Sequence, residues 1–138
     1  MAVGRTRAGA SQIVRVDRST SRVVDRIRTG GDGTLVVGGG DVWAAGITSQ
    51  AVYRYDTTSR ELLAEIPIAV VAKRLTADQD SLWVSSDSGR VTRIDMATNR
   101  VTGTFQVVGR APAVMVGFGS AWVVDTANAA LLRLLPTP

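Results

Sequence analysis

An all-β chain assembled from repeated four-stranded units is the fold class this sequence predicts, and three observations carry it. The first is a period. Arg15, Arg54, Arg93 and Arg133 are spaced 39, 39 and 40 residues apart, and Trp43, Trp83 and Trp122 keep the interval at 40 and 39. The second is Asp17, Asp56 and Asp95, each two residues after one of the first three arginines. The third is local pattern. Each unit holds four short runs rich in Val, Ile, Tyr, Trp and Thr, bounded by Gly, Asp, Ser or Asn, and the helical apolar period is missing. A period near 40 suits helical arrays as well as propellers. The strand-sized runs decide between them, because four antiparallel strands in such a unit make a β-propeller blade.

The units run over 11–49, 50–88 and 89–128, with a truncated unit at 129–138, so residues 1–138 read as a single partial β-propeller of about 3.5 blades. Strands are lettered a to d outward from the axis, the tryptophan runs being b and the R-x-D runs c. The N-terminal part supplies a short b (Ala2–Arg5), then c (Gln12–Asp17) and d (Val23–Arg28). Two complete blades follow at Thr34–Ile66 and Lys73–Phe105, and the C-terminal part supplies a, b and c, ending at Leu135. Asp17, Asp56 and Asp95 end strand c, where a short carboxylate bonds the backbone two residues on. The next strand restarts at Arg22, Arg60 and Arg100, one residue sooner in the second unit, which predicts a tighter hairpin there. Glycines before Trp43 and Trp122 supply the positive φ of two-residue hairpins; Asp80 replaces glycine before Trp83, so that turn is expected to differ. Trp43, Trp83 and Trp122 are expected in the core between blades. Arg15, Arg54 and Arg93 are expected to pair with Asp17, Asp56 and Asp95 in a ladder between blades, and Arg133, with Leu135 at the aspartate position, to lack its repeat partner.

Composition excludes much chemistry. The chain has no cysteine and no histidine, which removes disulfides, thiolate nucleophiles, the commonest metal ligand and the commonest general base. Catalysis would fall to carboxylates, Tyr, Ser, Arg or Lys73, and these form no recognisable constellation, so no catalytic residue, metal ligand or cofactor is assigned. Gly30–Gly33 and Gly38–Gly40 lack the Lys-Ser/Thr ending and following helix of a phosphate loop and read as turns. Asp78, Asp80 and Asp87 lack EF-hand spacing. The formal charge of +4 is lopsided: Arg5, Arg7, Arg15, Arg18, Arg22, Arg26 and Arg28 crowd the first 28 residues against only Asp17 and Asp25. Such an end could hold a polyanion. No aromatic platform or nucleic-acid motif accompanies it, so nucleic acid is not an expected partner. The opening segment has no apolar stretch of secretory type and no run approaches a membrane span. As written the chain is expected in the cytoplasm, or outside it if it belongs to a longer secreted or anchored parent.

The strand Val91–Val101, reading V-x-R-I-D-x-x-T-x-R-V, followed by Gly117–Val123, reading G-x-G-S-x-W-V, resembles bacterial propeller repeats of the YVTN and streptogramin (virginiamycin B) lyase-like type. The resemblance spans Ser11 to about Leu134 and implies the repeat type. WAAG (Trp43–Gly46), WVSS (Trp83–Ser86) and WVVD (Trp122–Asp125) stand in place of the YVTN tetrapeptide. Members of this group serve as lyases, extracytoplasmic sensors or binding scaffolds. The lyase reading implies a catalytic histidine that has no counterpart here.

Closed propellers need roughly four to eight blades, so 3.5 blades leave an open arc with uncovered apolar faces. Two completions are expected. In one, the chain is a segment of a longer parent that brings the remaining blades, its start and end both reading as cut mid-blade. In the other, two copies form a homodimer, the a–b strands of one pairing with the c–d strands of the other in a six- or seven-bladed ring. The function expected is a non-catalytic binding or scaffold module for a small molecule or protein; the alternatives are a histidine-free lyase-like enzyme and a polyanion-binding N-terminal segment. Rim loops joining b to c and d to a vary most between units. Thr48, Asp87, Arg110 and Asp125 in them are the candidate binding residues.

Overall fold

The computed structural model describes the backbone of residues 2–5 and, in full, residues 11–46, 48–107, 109–111 and 113–134. Leu135 and the residues after it lie outside the described part. Fourteen strands form four antiparallel sheets, each a sequential meander. Blade 1 holds β1 (Ala2–Arg5), β2 (Ser11–Val16) and β3 (Val23–Thr29). Blade 2 holds β4 (Thr34–Gly38), β5 (Asp41–Ala45), β6 (Ala51–Tyr55) and β7 (Leu62–Pro67). Blade 3 repeats this with β8 (Arg74–Ala77), β9 (Ser81–Ser85), β10 (Arg90–Asp95) and β11 (Arg100–Gln106). Blade 4 holds β12 (Val114–Gly117), β13 (Ser120–Asp125) and β14 (Ala130–Leu134). The first strand of each complete blade packs beside that of the next, β4 against β8 and β8 against β12. These strands therefore lie on the inner side of an all-β, incomplete β-propeller ring.

Hairpin chemistry repeats as well. Gly39 and Gly40 have φ of +61° and +84°, and Phe118 and Gly119 have +53° and +69°. These are two-residue turns with both residues left-handed. In blade 3 no residue of that turn has positive φ; instead the Asp78 carboxylate accepts the amides of Asp80 and Ser81 at 3.0 and 2.7 Å. The substitution propagates to the tryptophan. Trp43 and Trp122 donate Nε1–H to the carbonyls of Gly38 and Gly117, five residues back, while Trp83 donates to the Asp78 carboxylate at 3.2 Å.

The c–d turn of blade 2 is not tighter than the others. Ser21, Arg60 and Asn99 all take the left-handed conformation at the fourth position after the aspartate (φ +56°, +66° and +58°). Arg60 therefore fills the left-handed position rather than restarting the strand. In each of the three hairpins the register slips once after the repeat arginine, at Arg15/Val16, Arg54/Tyr55 and Arg93/Ile94. The side-chain oxygen of Asp17, Asp56 and Asp95 caps the turn, accepting the amides of Ser19 and Thr20, Thr58 and Ser59, and Thr98.

Every second residue of a strand faces the same neighbouring blade, so the two inner blades each bury two different faces. Ile13 and Ile27 of blade 1 pack on Val42, Ala44 and Tyr55 of blade 2. Trp43 and Val52 of blade 2 pack on Leu82, Ile94 and Met96 of blade 3. Trp83 and Val91 of blade 3 pack on Val114, Ala121 and Val123 of blade 4. Full burial of one such side chain is worth roughly 1.5–3 kcal/mol, and the faces together make the core. Trp43 and Trp83 are 0% and 1% exposed. Trp122, with no described blade beyond it, is only half-buried.

The arginines sit on the tryptophans, but their partners differ from the expected ladder. Guanidinium carbons of Arg54, Arg93 and Arg133 lie 4.7, 5.5 and 5.5 Å from the ring centres of Trp43, Trp83 and Trp122. Arg54 pairs with Asp41 (Nε to Oδ2 2.7 Å), and Arg93 and Arg133 donate to Ser81 and Ser120 at 2.9 and 2.7 Å. Each partner opens strand b two residues before the tryptophan. The R-x-D carboxylates are committed to their own turns, which is why they are unavailable to the arginines. Arg133 keeps the same serine bond as Arg93.

Trp83→Ala is expected to cost about 3–5 kcal/mol, the range for emptying a large core site. Trp122→Ala is expected to cost well under half of that, because one side of its ring is already open. Denaturant midpoints for the two variants check the difference. Asp17 is held at about 2 by the Ser19 hydroxyl first, then by the amides of Thr20 and Ser19. A depressed carboxylate contributes stability above its unfolded value near 4, lost as pH falls through its folded value. A carboxyl-carbon NMR titration should therefore place the Asp17 midpoint near 2, with the turn's contribution fading between roughly pH 4 and pH 2.

Candidate functional site

The meander puts every b–c and d–a loop at one rim and every a–b and c–d turn at the other. Strands fix the ends of these loops, while the loops themselves are free to vary. At the b–c/d–a rim an open cleft of about 470 Å³ lies between blades 2 and 3. Gln50, the segment Ala69–Lys73 and Ser86–Ser88 line it. Ala69 holds φ at +57°, a left-handed conformation rarely adopted by a residue with a Cβ. Asp87 stands at the mouth. Its Oδ2 is 3.5 Å from Lys73 Nζ and 3.1 Å from Arg110 Nη2, which makes a cluster of two cations and one carboxylate drawn from three loops. Burial pushes the Asp87 carboxyl up, but the hydrogen bond and charge of Arg110, with Lys73 behind, outweigh it and hold the group below its ordinary range. Asp87 Oδ1 is buried and accepts no hydrogen bond among the described residues.

The four candidate rim residues thus part company. Asp87 and Arg110 meet, and both are substantially exposed. Arg110 also reaches blade 4 through its carbonyl, which accepts the Thr126 amide at 3.4 Å. Asp125 is 3% exposed and spends its carboxylate on its own turn, accepting Ala127 N–H, Asn128 N–H and Asn128 Nδ2–H at 3.1, 3.3 and 2.8 Å. Gly109, at φ +95°, lies so close that a Cβ there would sit 2.3 Å from Ala127 Cβ and 3.0 Å from Asp125 Oδ1. Thr48 is apart from these, bonding Asp32 at 3.5 Å in the loop of blade 2. Lys73 joins the site although its sequence context, one cation before a strand, gave no such signal; only the d–a loop brings it to Asp87.

On the opposite rim a second cleft, about 500 Å³, is lined by Asp78, Gln79, Trp83, Arg93 and Gly117 among others. Asp78 and Asp80 belong to this side and Asp87 to the other end of β9, so the three carboxylates weighed for calcium are not brought together. No group of three or more acidic side chains is placed to hold a metal among the described residues. No helix of the described residues is long and apolar enough to cross a membrane.

No protein-family model and no curated protein matches the chain. Solved structures do. Hydrazine synthase of Kuenenia stuttgartiensis superposes with a TM-score of 0.67 at 13% identity over 96% of this chain. This chain spans about half, 48%, of that one. The computationally designed Ika4 protein superposes with a TM-score of 0.78 at 10% identity, covering 98% of this chain and 84% of the other. At such identities the likeness is one of fold: an all-β, propeller-like module.

Asp125→Ala is expected to destabilise the chain by about 1–3 kcal/mol, since it removes the buried carboxylate that accepts three hydrogen bonds and holds the turn. Asp87→Ala should stay within about 0.5 kcal/mol, as surface ion pairs contribute little. Thermal unfolding of the two variants separates a turn residue from a residue free to bind.

Proposed function

We propose that this chain is a non-catalytic binding or scaffold module of the YVTN and streptogramin lyase-like repeat type, presenting its b–c/d–a rim to a ligand. The observation that carries the reading is the Lys73–Asp87–Arg110 cluster at the mouth of the rim cleft. These side chains are exposed, contribute nothing to the core, and come from loops on rigid blades. Two cations facing one carboxylate leave one positive charge over, which favours a ligand carrying an anionic group. The absence of histidine and cysteine supports binding over the lyase alternative, whose nucleophile or base would have to come from carboxylates or tyrosine.

A second reading has its own observation. Arg15, Arg18, Arg22, Arg26 and Arg28 are all exposed on blade 1, a basic patch suited to a polyanion.

Amide NMR during titration with a short acidic peptide decides between them. Shifts confined to residues 69–73, 86–88 and 109–111, weakened by Lys73→Ala and by Arg110→Ala, are expected. Shifts on blade 1 instead, vanishing steeply with added salt, would mean the polyanion reading is the correct one. No shift at millimolar peptide would remove the rim assignment.

A further inference from the structure

Both ends of the arc expose a face that the interior blades bury. On blade 4, Met115, Trp122 and Arg133 are aligned by register, with Val124 opposite Leu131, so all five share one face. The same positions in blade 3 are Thr76, Trp83, Arg93, Ser85 and Val91. Trp83, Ser85 and Val91 are at most 1% exposed there, whereas Met115, Leu131 and Val124 are 66%, 64% and 41% exposed. What covers this face inside the chain is known: the opposite face of the following blade, through Ile94 packed against Trp43. The position of Ile94 and Tyr55 in blade 1 is held by Val16, which is 42% exposed where those two are 0% and 4%. One chain thus carries both halves of the blade-to-blade contact, each uncovered among the described residues.

We infer that blade 4 of one copy stacks on blade 1 of a second copy in the register of the internal blade contacts, so that two chains close a ring of eight blades. The inference deepens the scaffold reading by naming its partner as a second copy of this chain, and it rests on the propeller fold rather than on the rim cleft. A contact between two different faces closes into a ring when its rotation closes, and two chains of four sheets reach the upper end of the usual blade range. No strand is exchanged. Blade 1 already holds strands b, c and d and blade 4 holds a, b and c, so fusing them into one four-stranded sheet would expel β1 and β14. This replaces the six- or seven-bladed closure expected from the repeat alone.

A polar lock accompanies the apolar match. Inside the chain Arg54 reaches over to the c–d turn of the next blade, donating to the Met96 carbonyl and the Asn99 side chain at 2.7 and 2.8 Å. Arg133 occupies the Arg54 position with only Ser120 as a hydrogen-bond partner among the described residues. Arg18 and Ser21 hold the turn positions of Met96 and Asn99 in blade 1, and Ser21 has the same backbone, φ +56° against +58°. In the ring Arg133 meets the Arg18 carbonyl and the Ser21 hydroxyl of the second copy.

The test is light scattering on the whole chain and on Leu131→Asp and Val16→Asp, both at exposed positions that a single chain does not pack. The wild type should run at twice 14.6 kDa, and each variant alone at the single-chain mass with an unchanged far-ultraviolet spectrum. Mixing the two variants should restore part of the doubled mass, because a mixed pair has one contact carrying both substitutions and one carrying neither. A folded wild type at the single-chain mass overturns the inference. So does a dimer that survives Val16→Asp, which means blade 4 meets blade 4, and so does a mass growing without limit, which means an open helix. Other blades of a longer parent in the second copy's place would give the single-chain result. None of these outcomes bears on the peptide titration at the rim, which reads residues between blades 2 and 4.

Discussion

A four-stranded antiparallel sheet with two apolar faces has no stable existence alone in water, and that constraint organises this molecule. Each inner blade buries one face on the blade before it and another on the blade after it. The two faces are built from alternate residues of the same strands, so the repeat can be read as a chain of interlocking halves. Trp43 and Trp83 are the largest side chains in those contacts. Each is fixed on three sides: its indole N–H closes on the a–b hairpin, an arginine from strand c lies over its ring, and the next blade covers it. Where one support is missing, as at Trp122, the same residue in the same local setting stays half-exposed.

The polar repeat serves this apolar one. Asp17, Asp56 and Asp95 keep their carboxylates within the c–d turn, which fixes a left-handed residue at the same place in three hairpins and slips the register after each arginine. That frees the arginines from the aspartates two residues on. Arg54, Arg93 and Arg133 turn instead toward Asp41, Ser81 and Ser120, which open strand b, and Arg54 also reaches the turn of the following blade. Through Arg54 the strand of blade 2 is coupled to the hairpin of blade 3.

The proposed function draws on what this scaffold leaves over. The two rims differ in kind. The a–b/c–d rim is used up by caps, hairpins and the arginine contacts, and its variation is limited by the tryptophan it must support. On the b–c/d–a rim the structural duty falls on particular residues, such as Ser86, Ser88 and Gly89 in blade 3 and Asp125 and Gly109 beside blade 4, which tie the loops together. Between those structural points stand Lys73, Asp87 and Arg110, charged, exposed and drawn from separate loops.

The repeat of Arg, Asp and Trp at one interval determined the all-β class, the four-stranded unit and the burial of Trp43 and Trp83, because strand alternation and turn residues are local physics written at fixed offsets. Asp80 in place of glycine was enough to mark the one hairpin of different type. Other features were decided only in three dimensions. Which carboxylate meets an arginine depends on which has already been spent on a turn, so Arg54 finds Asp41 rather than Asp56. Arg60 looked like the start of a strand and proved to be the left-handed residue of a turn, since backbone hydrogen bonds rather than residue type fix that position. Lys73 was silent in the sequence because its partner lies on another loop, and Asp125 looked like a rim ligand because burial cannot be read from a strand's last residue. Proximity across blades comes from the stacking of whole sheets, and no local pattern encodes it.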